Sequence, residues 1–152
     1  MVVTLYKLIS DNRERILLLW QAAALPRDLG LQGSAAAKRS VVSTDVLLKD
    51  KTAYLFDWLV SEEETASVLP HLREMCKIKA VMTQSPSEAL GFILDLKGII
   101  RLVLGKTEDM GEFDKRIDQL MLLALDEYSG CREQIMQIKI DEVLRMAGRQ
   151  KQ

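Results

Sequence analysis

Apolar residues recur along most of the chain at steps of three and four, the spacing that puts them on one face of an α-helix. No stretch alternates at a step of two, so no strand is predicted. The clearest pattern runs from Ser85 to Gly105. Ser85 stands at an N-cap, Pro86 at the first helical position and Glu88 three residues on, which together make a capping box. Leu90, Ile93, Leu94, Leu96, Ile99, Ile100, Leu102, Val103 and Leu104 then cover more than one face. That breadth predicts a central helix, covered on several sides.

The other elements follow by the same reading. A first helix is predicted from about Thr4 to about Ala24, with Leu5, Leu8, Ile9, Ile16, Leu19 and Trp20 at helical spacing and Ser10-Asp11 as an alternative start. PRDLGLQG, from Pro26 to Gly33, is a turn-rich connection, and Ser34 to Val42 reads as a short helix. A new cap at Ser43-Thr44 opens a helix carrying Leu47, Leu48, Leu55, Trp58 and Leu59. Ser61 is expected to cap the next one, with Glu62, Glu63 and Glu64 in its opening turn where negative charge suits the macrodipole. Its buried face is read as Val68, Leu69, Leu72, Met75, Cys76, Ile78 and Val81, with Pro70 marking a kink or a late start. Thr83-Gln84 is a tight link into the Ser85 helix.

Beyond the turn KTEDMGE comes the longest pattern. Phe113, Ile117, Leu120, Met121, Ala124, Tyr128, Cys131, Ile135 and Ile138 step by threes and fours without a proline. A helix from about Gly111 to about Met146 would be roughly 50 Å long at about 1.5 Å per residue, more than the diameter of a domain of this size. Part of it must project, bend or pair with another chain. The expected architecture is all-α: one domain over residues 1–147, a helical bundle of about six helices with a long C-terminal helix, and a polar tail at 148–152.

Composition narrows the function classes. The 152 residues are 48% hydrophobic and 28% charged, enough apolar content for a real core. Lys+Arg 21 against Asp+Glu 22 leaves no basic excess of the kind that binds nucleic acid. The apolar runs are too interrupted to span a membrane, and the N-terminus lacks the pattern of a signal peptide. Cys76 and Cys131 have no metal spacing, which points to a reduced, cytoplasmic protein.

The candidate chemistry is sparse. His71, the only histidine, is a conceivable haem ligand but follows Pro70 on what reads as a surface turn. Cys76 and Cys131 are candidate redox thiols, though both sit on apolar stripes. Asp109, Glu112, Asp114 and Asp118 are interleaved with Lys115 and Arg116, the pattern of a solvated mixed-charge face. No phosphate loop, nucleophile motif or metal motif occurs, so no catalytic residue, metal or cofactor is assigned. Gly91 and Gly98 lie about two turns apart on one side of the Ser85 helix. They mark a close helix approach or, alternatively, a small-ligand niche.

Two stretches resemble the RsbRD N-terminal domain family. Ile78-Lys79-Ala80-Val81, then Ser85-Pro86-Ser87-Glu88-Ala89-Leu90-Gly91-Phe92 and Leu96-Lys97, are similar to that family's IRAVQ…SPSEAVGF…LK run. Arg116-Ile117-Asp118, Tyr128, Cys131-Arg132-Glu133 and Ile138 to Val143 resemble its RID…Y…CRE…I…EV run. The first helix with Trp20, and Leu55-Phe56-Asp57-Trp58-Leu59, fall where the family has comparable elements. Lys79 and Met82 stand where Arg and Gln are usual, and Val42-Ser43-Thr44-Asp45 replaces an Asn-Pro-Val-Gly turn.

The resemblance implies a non-catalytic, all-α sensory or regulatory domain of bacterial stress signalling. It implies partners of the STAS-domain or switch-kinase kind, and in the family's namesake a STAS domain follows in the same chain. Here it would act in trans or as an excised module. On the residues themselves, the long C-terminal helix is the expected homodimer and partner interface. Ile135, Ile138, Val143 and Leu144 would be left apolar once the bundle is full. A ligand sensor with its pocket beside Gly91 and Gly98, or a plain adaptor, are the alternatives.

Overall fold

A computed structural model describes residues 2–25, 35–82, 84–105 and 110–150. It is all-α, with α1 (Val2–Asp11), α2 (Arg13–Ala24), α3 (Ala35–Leu59), α4 (Thr65–Val81), α5 (Pro86–Leu104) and α6 (Gly111–Gln150). The expected six-helix bundle with a long last helix is what forms. Several boundaries differ, each for a local reason. The single helix expected over Thr4–Ala24 breaks at Asn12, whose side chain donates to the Leu8 carbonyl at 2.8 Å and so ends α1 on itself. The cap expected at Ser43-Thr44 is not a helix start, because α3 runs unbroken from Ala35.

Ser61 does not cap α4 either. Its hydroxyl donates to the Trp58 carbonyl at 2.7 Å, closing the end of α3, and α4 begins at Thr65. The three glutamates therefore precede the helix instead of filling its first turn. Pro70 is accommodated inside α4. The Ser85 cap is as expected: its Oγ accepts from the Glu88 amide at 3.3 Å, and it donates to Glu88 Oε1 at 2.9 Å. At the other end of α5, Gly105 takes φ +73°, a left-handed conformation that glycine adopts without a Cβ penalty. Residues 148–150 of the expected tail are helical, since α6 continues to Gln150, and 151–152 lie outside the described residues. Thr83 of the predicted link, the PRDLGLQG connection and most of KTEDMGE lie outside the described residues.

Five helices close a ring in the order α2, α3, α4, α6, α5 and back to α2, with α1 against α2 and α5. Ion pairs and hydrogen bonds give the directions. Arg13 with Asp57, and Gln21 with the Lys49 carbonyl, make α2 and α3 antiparallel. Lys51 with Glu74 and Trp58 with the Glu64 carbonyl do the same for α3 and α4. Lys97 with Asp118 and Arg101 with Asp114 set α5 against α6. By contrast α4 and α6 run parallel, through Arg73 with Glu127 and Arg132 with the Ala80 carbonyl. Exposed pairs of this kind are worth at most about 1 kcal/mol each, so they fix register more than they stabilise.

Trp20, fully buried, anchors the core. Its ring lies 5.6 Å from Phe92 and 6.3 Å from Phe56, and its Nε1 donates to the Phe92 carbonyl at 2.8 Å. α5 is not wrapped on several sides as its sequence suggested. α2 and α6 flank it and α1 touches it, but its outer face leaves Leu94, Asp95, Gly98 and Leu102 in solvent. Its extra apolar residues are surface residues, because a ring of helices has no axial member.

Arg116 joins α6 to the end of α3. Its guanidinium donates to the carbonyls of Trp58 at 2.9 Å, Leu59 at 3.2 Å and Glu63 at 2.9 Å, and stacks 3.9 Å from the Trp58 ring. Arg116→Met should lower stability by about 2 kcal/mol, the cost of stranding partly buried carbonyls. Arg73→Met, on an exposed pair, should cost less than about 1 kcal/mol. Urea titrations of both variants against the wild type check the contrast.

Candidate functional site

Two features gather at one end of the bundle, where α2 and α4 finish and α5 begins. The first is a cleft of about 340 Å³ lined by residues that include Ala24, Lys79, Gln84, Glu88, Gly91 and Asp95. The second is α6 itself, which passes this end at Tyr128 to Arg132 and continues outward. Tyr128 ties the two together, its hydroxyl donating to the Gln84 carbonyl.

Lys79 is the unexpected resident of the cleft. Stepping by threes and fours from Leu72 through Met75 and Cys76 leads to Lys79 and Ala80, and these two are buried. The face read from sequence took Ile78, which is partly buried against the core, and Val81, which is 71% exposed. The Lys79 side chain, 2% exposed, donates to the Ala24 carbonyl at 2.8 Å and lies 4.8 Å above the Phe92 ring. It thereby serves the orphan carbonyls at the end of α2, where a cation also suits the dipole. No carboxylate of the described residues lies within ion-pair distance of it. Burial pushes its ammonium down from 10.5 to about 8.

Of the two glycines singled out in α5, Gly91 lines the cleft and Gly98 does not. A Cβ added at either would meet nothing within 4 Å, so neither marks a close helix approach. Gln84, Glu88 and Asp95 were not anticipated as cleft residues. With Gly91 they fall at steps of four, three and four along the start of α5, so helical spacing puts them on one face, and what the sequence did not show is that the ends of α2 and α4 meet that face.

The projecting part of α6 is exposed throughout residues 136–149. Ile135 packs on the bundle core, while Ile138, Val143 and Leu144 face solvent. At about 100° per residue, Val143 and Leu144 share a face with Met136, Ile140 and Ala147, and Ile138 lies on another. Met136, Ile140, Val143 and Ala147 fall at steps of four, three and four, the coiled-coil period. The four residues proposed from sequence therefore do not make one stripe, and Met136 and Ile140 belong with it.

The other candidates resolve into structure. His71 is half-buried instead of on a free surface turn. Its ring stacks on Tyr54 at 4.0 Å, and Nδ1 lies 3.4 Å from the Lys51 ammonium. Cys76 and Cys131 are buried free thiols. Burial raises both, Cys76 to about 12, so neither offers a thiolate near neutral pH. In the acidic group, Asp114 and Asp118 pair with Arg101 and Lys97, and Asp109 lies outside the described residues. No group of three or more metal-ligating side chains occurs among the described residues, and no described helix is long and apolar enough to cross a membrane.

Four side chains act as clamps on neighbouring elements: Arg116 on the end of α3, Arg132 on the end of α4, Lys79 on the end of α2 and Tyr128 on Gln84. Comparison of the chain with models of protein families, with curated proteins and with solved structures finds no match.

The depressed Lys79 pKa has a signature in stability. Between pH 8 and 10.5 the unfolded chain binds the proton that the folded chain has lost, so stability rises with pH across that interval and is unaffected below it. The gain reaches about 3 kcal/mol at about 1.4 kcal/mol per pKa unit. Cys76 acts in the opposite sense. Its stabilising contribution is complete below 9 and is lost as pH climbs toward 12. Denaturant titrations over this range should therefore show wild type gaining on Lys79→Met by about 3 kcal/mol, with the Cys76 effect common to both. A difference that does not change with pH would contradict the assignment.

Proposed function

We propose that this domain is a regulatory module of the stress-signalling type that acts by protein–protein contact, with the outer half of α6 as its dimerisation and output element. The observation that carries this reading is the exposed apolar seam of Met136, Ile140, Val143 and Leu144 on a helix that has left its own bundle. A coiled-coil period on a projecting helix fits a second helix of the same kind, and the occupant is a second copy of this chain. The signalling context rests on the resemblance to the RsbRD N-terminal domain family. In that context a STAS-domain protein or a switch kinase is the expected downstream partner, and the domain works in the cytoplasm by binding and not by catalysis.

The seam is also what distinguishes this reading from an adaptor that docks through another face. Light scattering on the full chain should give a dimer. Ile140→Asp with Val143→Asp should give a monomer of unchanged helix content by circular dichroism, because a charge at either position cannot be desolvated in a helix–helix seam. Ile138→Asp, off the seam, should weaken dimerisation less. A wild-type monomer, or a double variant that stays dimeric, overturns the placement.

A further inference from the structure

The cleft between the ends of α2, α4 and α5 holds two unmet hydrogen-bonding demands. Lys79 carries three N–H groups, and the Ala24 carbonyl is the one hydrogen-bond acceptor it has among the described residues. Gln84, on the same cleft, has its Oε1 enclosed with no partner. A buried ammonium without a carboxylate and a buried carbonyl oxygen without a donor each cost stability where they stand. Capping α2 explains why a cation sits at position 79. It does not explain the open space beside it or the vacant Gln84 acceptor.

The rest of the lining has a definite charge layout. The ammonium is deep, and the carboxylates of Glu88 and Asp95 are on the exposed rim. At about 340 Å³ the space lies at the small end of ligand sites, which run from roughly 300 to 1,000 Å³. An anion alone would satisfy Lys79 but leave Gln84 vacant and face the rim acids. A cation alone would suit the rim and repel Lys79. A molecule with both groups meets every demand.

We propose that this cleft binds a small zwitterion of the amino-acid class. Its carboxylate sits on the Lys79 ammonium, and its ammonium donates to Gln84 Oε1 and faces Glu88 and Asp95. Gly91 lines the site, where the missing side chain leaves room for the ligand. This is independent of the α6 seam, and either can fail without the other.

The test is a panel of the standard L-amino acids at millimolar concentration, with their N-acetyl and C-amide forms, read by thermal shift and by amide NMR shifts at Gln84 and Gly91. At least one free amino acid should bind, and both blocked forms of it should not. Two variants locate the site. Lys79→Met should weaken binding about tenfold to a hundredfold, as expected for loss of a charge-assisted hydrogen bond. Gly91→Leu should abolish it by filling the cleft; nothing lies within 4 Å of the new Cβ, and leucine is a better helix former than glycine, so the fold is retained. The proposal is overturned if no free amino acid perturbs the wild-type protein, if the blocked forms bind as well, or if binding survives Gly91→Leu.

Discussion

Cations on helix ends set the register of this structure. The last carbonyls of any helix lack partners within it, and in a bundle they arrive close to neighbouring helices, where water serves them poorly. Here three of those ends receive a basic side chain from another element. Lys79 of α4 serves α2, Arg116 of α6 serves α3, and Arg132 of α6 serves α4. Each contact satisfies a carbonyl, opposes the negative end of a dipole, and fixes where one helix stops relative to another. Trp58 and Tyr128 extend the scheme, one donating to the Glu64 carbonyl and the other to that of Gln84. The apolar core provides the larger share of stability, but it is tolerant of sliding. The carbonyl contacts are directional and are not.

The second constraint is length. α6 has 40 residues and so spans about 60 Å at about 1.5 Å per residue, while its neighbours have 25 or fewer. Once Ile135 has packed, nothing in the bundle remains for the helix to cover, yet apolar residues continue along it. The cleft lies at the root of this projection, and the Tyr128–Gln84 bond connects its lining to the emerging helix. Any event in the cleft is thus one hydrogen bond away from the element proposed to meet other proteins.

Much of this could be read along the chain. The capping box at Ser85, the all-helical pattern and the overlong last helix are local or periodic signals, and they describe the structure well. Boundaries were less legible where one residue has two uses. Ser61 reads as the start of α4, but its hydroxyl closes α3. Ser43 and Thr44 read as a cap but lie inside a helix, since capping chemistry is optional for a serine and depends on where the backbone turns. The periodicity of α4 also pointed inward at Lys79, where the apolar pattern instead suggested Val81, which is exposed.

By itself, the sequence determined which stretches are helical and that α6 outruns its bundle, because helix formation and hydrophobic period are set by near neighbours. Only the tertiary structure decided which faces are shared. It turned the broad apolar surface of α5 partly outward, set Gly91 on a cleft and Gly98 off it, and brought Lys79, Gln84, Glu88 and Asp95 to one site. Glu88 and Asp95 share a face of α5 with Gln84 just before it, whereas Lys79 comes from α4, and what joins the two is the register between helix ends. That register depends on contacts between residues tens of positions apart, which no local pattern records.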